Sequence, residues 1–150
     1  MTGVDMSTTL NGQILGRTHH ATRAVLEREL GRLGLTFAQA LLLNALAAAD
    51  TPLPRAEAAR RLVDAVKVPT ATAHGTLTEL IAATLVAPLP TDASQVALTP
   101  TGRQAQRLVA AASAEIGARL WSDLAADDLV VAARVLDVVR RRAEQALAAA

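Results

Sequence analysis

Residues 68–102 decide the fold, and they read VPTATAHGTLTELIAATLVAPLPTDASQVALTPTG. Pro69 suits the start of a helix. Two short apolar segments follow at residues 85–87 and 95–98, and the break PLPTDA between them predicts a turn joining two strands. Pro88 and Pro90 restrict the first strand to the edge of a sheet. One face of the helix carries five residues at helical spacing: Ala73, Leu77, Leu80, Ile81 and Thr84.

Helical segments are predicted on the amino-terminal side of this stretch. The first runs from about Thr8 to Leu33, where Gly34 ends it. Thr36 and Gln39 have capping-box spacing and open a second helix, predicted over 37–49, which is apolar nearly all round and therefore central. A turn at residues 50–54 precedes a third helix, which ends near residue 66.

Two long helices are predicted on the carboxyl-terminal side. Thr99 caps the first, which begins at Pro100 and reaches about Trp121. The second covers residues 124–149 and has a wide apolar surface. Because a small central domain could hardly cover that surface, a partner subunit is its simplest cover.

Composition limits the class of protein. The chain has 150 residues, of which 51% are hydrophobic and 1% aromatic, which favours one mainly α domain with a real core. The net charge of +1 gives no global attraction to nucleic acid or anionic membrane. The absence of cysteine excludes disulfides and thiol chemistry. The polar start differs from an export signal and no apolar run could span a bilayer, so we expect a cytoplasmic protein with no membrane partner.

The order of elements and several motifs resemble the MarR family of bacterial transcription regulators over nearly the whole chain. Gly34-Leu35-Thr36, followed by Gln39, Leu43 and Leu46, is similar to the family's entry into its second helix. Leu98-Thr99-Pro100-Thr101-Gly102 is similar to its "LTxxG" exit from the wing. Between them, five residues match the pattern of its recognition helix: Thr72, Leu77, Leu80, Leu85 and Val86.

This resemblance implies a winged helix-turn-helix in which residues 1–150 form one MarR-like domain. Residues of about 1–35 and 100–150 would be dimerisation helices, and about 36–99 the winged helix-turn-helix. Such proteins are typically homodimers that place the fourth helix in the major groove of double-stranded DNA. They release the DNA when a small molecule binds, here expected to be an apolar or phenolic ligand.

The candidate DNA-binding residues fall into two groups. Hydroxyl groups of the fourth helix could reach bases or phosphates, from Thr70, Thr72, Thr76 and Thr78. Cations flank that helix and could contact phosphates: Arg55, Arg60, Arg61, Lys67 and Arg103. Residues 68–102 themselves contain no lysine or arginine, and Glu79 and Asp92 are their formal charges. The predicted readout therefore depends on threonines and shape, with weak salt dependence.

A ligand pocket is predicted where polar groups interrupt apolar helix faces. His19, Thr22 and Arg23 lie on the first helix, and Asn44 and Trp121 could complete a mostly apolar cavity. The alternative is that His19 is an ordinary interface histidine.

Catalytic, metal and cofactor sites are not predicted. His19 and His20 point about 100° apart on a helix, and no nucleophile with a base can be assembled. Two alternatives to a DNA-binding regulator stay open. One is a protein of this fold that has lost DNA binding and acts as a small-molecule binder or enzyme of specialised metabolism. The other is a module that binds another protein through its threonine-rich helix.

Overall fold

The computed structural model describes residues 9–149 and is mainly α, as predicted. Within that range it contains α1 (Gly12–Arg32), α2 (Phe37–Ala49), β1 (Leu53–Pro54), α3 (Arg55–Val66), α4 (Thr70–Ala82), β2 (Val86–Pro88), β3 (Gln95–Leu98), α5 (Pro100–Trp121) and α6 (Ala126–Ala148).

Local capping fixes two helix starts where the sequence predicts them. The Thr36 hydroxyl accepts from the Gln39 N–H at 3.1 Å, and the Gln39 side chain accepts from the Thr36 N–H at 3.0 Å. The Thr99 hydroxyl accepts from the Gly102 N–H at 2.9 Å at the start of α5. Each cap satisfies N–H groups that have no partner inside the helix, so the boundary is set by local chemistry.

The predicted start of the first helix is wrong. Helix α1 begins at Gly12, because the Asn11 side chain accepts from the Ile14 N–H at 2.9 Å and thereby caps it. Leu10 precedes the helix, and Thr8 lies outside the described residues.

The sheet is antiparallel with strand order β1-β3-β2. Strand β2 lies at an edge, as Pro88 and Pro90 predict, and pairs Val86 with Leu98. The predicted turn at residues 50–54 was incomplete, because Leu53 pairs with Val96 in β1. Two residues are too short a run to show strand periodicity in a sequence.

The end of α4 packs closely against the start of α5. Helix α4 ends at Ala82, so the prediction that Thr84 lies on its apolar face is wrong. Thr84 adopts a left-handed conformation with φ of 60°, and its carbonyl accepts from the Thr99 hydroxyl at 2.7 Å. A Cβ on Gly102 would lie 1.8 Å from the Leu85 carbonyl oxygen. The two segments therefore meet through their backbones.

The described residues form two compact units that divide after Ile116. The core of the first unit joins α2 to α4 and the sheet, and its fully buried large side chains include Leu42, Leu43, Leu80, Val86 and Val96. A smaller cluster of Ala59, Leu62 and Ala73 joins α3 to α4. This packing fixes the outward side of α4.

The second unit contains the end of α5 and the whole of α6. No residue of α6 is buried. Its exposed large apolar side chains are Val130, Val131, Val135, Leu136, Val139 and Leu147. These two units are those of a single protein chain. That residues 1–150 form one MarR-like domain stays a prediction.

Candidate nucleic-acid interface and adjoining cleft

The side of α4 that faces away from the core carries small and hydroxyl-bearing residues; we call it the α4 surface. Thr70, Thr72 and Thr78 are exposed on it. The Thr78 hydroxyl donates to the His74 carbonyl at 3.0 Å, which leaves its oxygen able to accept. The α4 surface therefore offers hydroxyl groups without any lysine or arginine.

Thr76 does not belong to the α4 surface. It is 6% exposed, and its hydroxyl donates to the Thr72 carbonyl at 3.1 Å. Its position is three residues after Ala73 and four before Leu80, which places it on the buried side of the helix. A contact between Thr76 and DNA, as the sequence suggested, is incompatible with this placement.

Glu79 is held at the flank of the α4 surface. Its Oε2 accepts from the Gln39 Nε2 at 2.7 Å, so the residue that caps α2 also fixes the one carboxylate of α4. The motif spacing identified Gln39 as a capping residue and gave no sign of this second role.

The cations of α3 are partly neutralised. Arg60 and Arg61 both pair with Glu57, and the Arg61 Nε lies 3.3 Å from a Glu57 oxygen. The Arg60 hydrogen bond, followed by that of Arg61, lowers the pKa of the Glu57 carboxyl. Lys67 ends α3 in a left-handed conformation and donates to the Asp64 carbonyl. One carboxylate is thus shared by two of the predicted phosphate contacts.

Arg55 contacts the turn between β2 and β3, here called the wing turn (residues 89–94). Its N–H donates to the Ser94 carbonyl at 2.9 Å, and its Nε donates to the Ala93 carbonyl at 3.0 Å. Asp92 closes the same turn, because its Oδ1 accepts from the Ser94 hydroxyl at 2.6 Å and N–H at 3.0 Å. The Ser94 hydroxyl is the main reason that the pKa of Asp92 is lowered.

A cleft of about 230 Å³ lies beside the wing, and we call it the arginine cleft. Arg103 is exposed and its side chain has no hydrogen bond or ion pair within residues 9–149, while Arg107 donates to Gln104 at 3.0 Å. The cleft is lined by Leu46, Ala47, Asp50, Thr51, Pro52, Ala97, Leu98, Arg103, Gln106 and Arg107. It combines an apolar wall with two guanidinium groups and the carboxylate of Asp50, and no local sequence pattern marks it because its lining comes from separate segments.

None of the predicted ligand residues lines the arginine cleft. Asn44 contacts one lining residue of the cleft, because its Oδ1 accepts from the Gln106 Nε2 at 3.1 Å. Trp121 is 47% exposed and belongs to the second unit.

The three predicted ligand residues of α1 have other partners or face solvent. His19 is exposed, and the Thr22 hydroxyl donates to the Thr18 carbonyl at 3.0 Å. Arg23 pairs with Glu27 at 2.6 Å and stacks over Phe37, with its guanidinium carbon 4.2 Å from the ring centre. Arg23 also lines a shallow hollow beside Leu35 and Phe37.

Residues 9–149 contain neither a cluster of metal-ligating side chains nor a single helix that could span a membrane. No group of three or more His, Asp or Glu side chains there could hold a metal ion. No single helix in that range is long and apolar enough to cross a bilayer, and α1 with α2 meets the length and composition test only as a pair bent by 83°.

Comparison with known proteins identifies the fold. No family model matches the chain, and no curated protein sequence matches it. Transcriptional regulator PA3341 is 26% identical with a TM-score of 0.75, over 89% of this chain and 98% of that one. The MarR family protein Rv2887 of Mycobacterium tuberculosis, solved with p-aminosalicylic acid, is 25% identical with a TM-score of 0.64, over 87% and 98%.

A third structure concerns the regulation of DNA binding of Bordetella bronchiseptica BpsR by 6-hydroxynicotinic acid. It is 23% identical with a TM-score of 0.69, over 93% of this chain and 98% of that one. The fold class is therefore a winged helix-turn-helix, with α3 and α4 as the helix pair and β2 and β3 as the wing. The resemblance that the motifs indicate is confirmed: the chain has the fold of the MarR-family transcriptional regulators.

Proposed function

We propose that this protein is a ligand-responsive transcriptional regulator that binds double-stranded DNA as a homodimer in the cytoplasm. The observation that carries the proposal is the α4 surface, which is exposed on a helix that packs against α3 and against the wing strand β2. A helix presented in this way fits the major groove. Rv2887 has also been solved in complex with DNA, which supports the same use of the fold here.

Base and phosphate contacts divide between different elements in this proposal. Thr70, Thr72 and Thr78 contact base edges or thymine methyl groups. The phosphate contacts come from Arg55, Arg60, Arg61, Lys67 and Arg103, all outside residues 68–102. The role as a regulator, without catalysis of its own, is supported by the fact that PA3341 is a transcriptional regulator.

Binding to random-sequence duplex DNA, measured as salt rises and accompanied by a selection for preferred sites, tests this function. We expect a preferred palindrome and an affinity that falls with salt, since each neutralised phosphate contributes about 0.9 to the slope of log affinity against log salt. The absence of binding at about 20 mM salt, where attraction to phosphates is least screened, would refute the proposal.

Homodimer formation is supported by the apolar side chains that α6 exposes in the single chain. Burial of such side chains favours association, and a second copy offers the same surface. Sedimentation over a range of concentrations tests this: Leu136→Asp should shift the protein toward monomer. Arg142→Asp, which places a carboxylate at an exposed position already occupied by a charge, should leave the assembly dimeric.

The ligand proposed for the arginine cleft is a small aromatic acid. Arg103 and Arg107 can pair with a carboxylate, and Leu46, Pro52 and Leu98 can contact a ring. Two aromatic acids support this ligand class: p-aminosalicylic acid, with which Rv2887 was solved, and 6-hydroxynicotinic acid, which regulates DNA binding of BpsR. The site at His19, Thr22, Arg23, Asn44 and Trp121 stays a second prediction for the same ligand.

Titration with p-aminosalicylic acid as the probe tests the ligand site. Binding should raise the melting temperature and weaken DNA binding, and by linkage DNA should weaken ligand binding by the same factor. Arg107→Gln should abolish the response if the arginine cleft is the site, whereas Arg23→Gln should abolish it if the α1 site is used.

A small-molecule binder without DNA binding is the second candidate function. It is favoured by one observation, which is that residues 68–102 contain no lysine or arginine. Binding of the aromatic acid, together with no DNA binding at low salt, would support this candidate. Chemical turnover of that acid would extend it to an enzyme.

A further inference from the structure

The wing has no cation of its own, although it lies at the edge of the proposed DNA-binding surface. Its strands and turn, residues 86–98, contain one formal charge, the carboxylate of Asp92. A negative wing would repel phosphates unless another part of the molecule neutralised it. The structure shows one arginine attached to this turn, and it comes from α3.

Arg55 is joined to the wing turn by backbone and side chain together. Its N–H bond to Ser94 continues the pairing of β1 with β3 by one residue, since Pro54 already pairs with Gln95. Its Nε bond to Ala93, at 3.0 Å, then fixes the plane of the guanidinium group. The backbone bond fixes the position of Arg55 beside the turn, and the Nε bond directs its side chain along the wing.

The charge of Arg55 is not neutralised by these contacts. Both acceptors are neutral carbonyl oxygens, and no ion pair of Arg55 is present within residues 9–149. Its two terminal nitrogens have no hydrogen-bond partner in that range and keep four N–H groups for another ligand. Arg60 and Arg61 differ, because both share the carboxylate of Glu57.

We propose that Arg55 supplies the positive charge of the wing by contacting a backbone phosphate of DNA beside the wing turn, while its Nε holds that turn in place. This inference rests on the proposed DNA-binding function and assigns the wing contact to a residue outside the wing. The contact is electrostatic and independent of sequence, because it is made to phosphate.

Salt-dependent DNA binding by the full chain and by Arg55→Gln tests the inference. Glutamine keeps an amide donor near Ala93 but loses the charge. We expect the variant to bind about tenfold more weakly for each protomer at about 0.1 M salt, with a slope lower by about one per protomer. The loss should be the same on random and selected duplexes. Arg28→Gln, an exposed cation on α1, is the matched control and should change neither quantity.

Two more variants separate charge from a purely structural role. Arg55→Lys keeps the charge but cannot reproduce the Nε bond, so it should retain the salt slope. Ala93→Arg in the Arg55→Gln background moves the cation onto the exposed wing turn and should restore the slope. Melting temperatures identify any variant that fails to fold, and the lysine variant then carries the test.

The outcomes distinguish this inference from the proposed function. If wild type binds DNA and folded Arg55→Gln binds it with the same affinity and slope, the role of Arg55 is refuted and the regulator stands. A loss confined to the selected duplex, or one that neither Arg55→Lys nor Ala93→Arg restores, would also refute a phosphate contact. If wild type binds no DNA at low salt, both proposals fail together.

Discussion

Helices α3 and α4 are adjacent in the chain and in the fold, yet they differ sharply in charge. Helix α3 carries Arg55, Arg60 and Arg61, whereas α4 carries no cation and one carboxylate, Glu79. A reading helix with arginines combines affinity and specificity in the same side chains. Here the proposed division assigns phosphate attraction to α3 and shape or hydroxyl contacts to α4. The difference teaches that DNA binding need not depend on cations of the inserted helix.

The largest expected effect concerns the close contact between the start of α5 and the segment that follows α4. Gly102→Ala places a Cβ 1.8 Å from the Leu85 carbonyl oxygen, and backbone cannot yield as a flexible side chain does. We expect a loss of about 3 kcal/mol or more in the free energy of unfolding, at the upper end of overpacking effects. Denaturant unfolding measures it.

Gly75→Ala is the matched control for this clash. Gly75 lies within α4, and an added Cβ there meets nothing within 4 Å. Alanine should stabilise the helix by up to about 1 kcal/mol. Equal effects of the two substitutions would contradict the close backbone contact between α5 and the end of α4.

The next effect concerns the charge of α3. Glu57→Gln removes the carboxylate that Arg60 and Arg61 share, which leaves both guanidinium groups available to phosphates. DNA affinity should rise about tenfold for each protomer at low salt, and the salt slope should become steeper by about one per protomer. Glu115→Gln makes the same charge change at an exposed position on α5 and should have a smaller effect. Unchanged binding by Glu57→Gln would remove α3 from the interface.

Several elements were predictable from sequence because their causes are local. The capping box at Thr36 and the cap at Thr99 involve side chains within three residues of their partners. Strand β1 and the Arg55 contact with Ala93 join residues distant along the chain, so no local pattern marked them. The arginine cleft was missed for the same reason.

The error at Thr76 has a different cause, because the necessary pattern was present in the sequence. Ala73, Thr76, Leu77 and Leu80 follow the spacing of one helix face, and all four are buried. A threonine hydroxyl can bond to the carbonyl one turn earlier in its own helix, so this polar residue is tolerated in the core. Polarity alone predicts that Thr76 lies on the exposed side of α4, and that prediction is wrong.

A smaller effect distinguishes the threonines of α4. Thr72→Val keeps the shape of the side chain and removes its hydroxyl, so the preference among selected sites should change by about 1 kcal/mol at the base it contacts. The salt slope should stay the same, because no charge is lost. Thr76→Val is the buried control and should leave site preference unchanged. An equal loss of affinity on random and selected duplexes with Thr72→Val would mean that the hydroxyl contacts phosphate and not a base.

The smallest effect concerns the stability of the α3 ion pairs in acid. Arg60, and then Arg61, lower the pKa of Glu57 below its ordinary value of 4.5. The folded state therefore favours the charged carboxylate, and this stabilisation is fully present above the ordinary pKa and lost as pH falls through the lowered one. The melting temperatures of wild type and Glu57→Gln should differ slightly near neutral pH and converge in acid. The difference is small because exposed ion pairs are screened by solvent and salt.

Asp137 on α6 provides the comparison that separates acid stability from DNA binding. Its pKa is also lowered, mainly by the hydrogen bond from Arg140. Asp137→Asn should therefore show the same convergence with wild type in acid as Glu57→Gln does, since the sign of the linkage is the same. Only Glu57→Gln should also change DNA affinity, because Arg60 and Arg61, which pair with Glu57, belong to the proposed interface and Arg140 does not. A parallel gain in DNA affinity by Asp137→Asn would mean that net charge alone governs binding, and the division of roles between α3 and α4 would then be wrong.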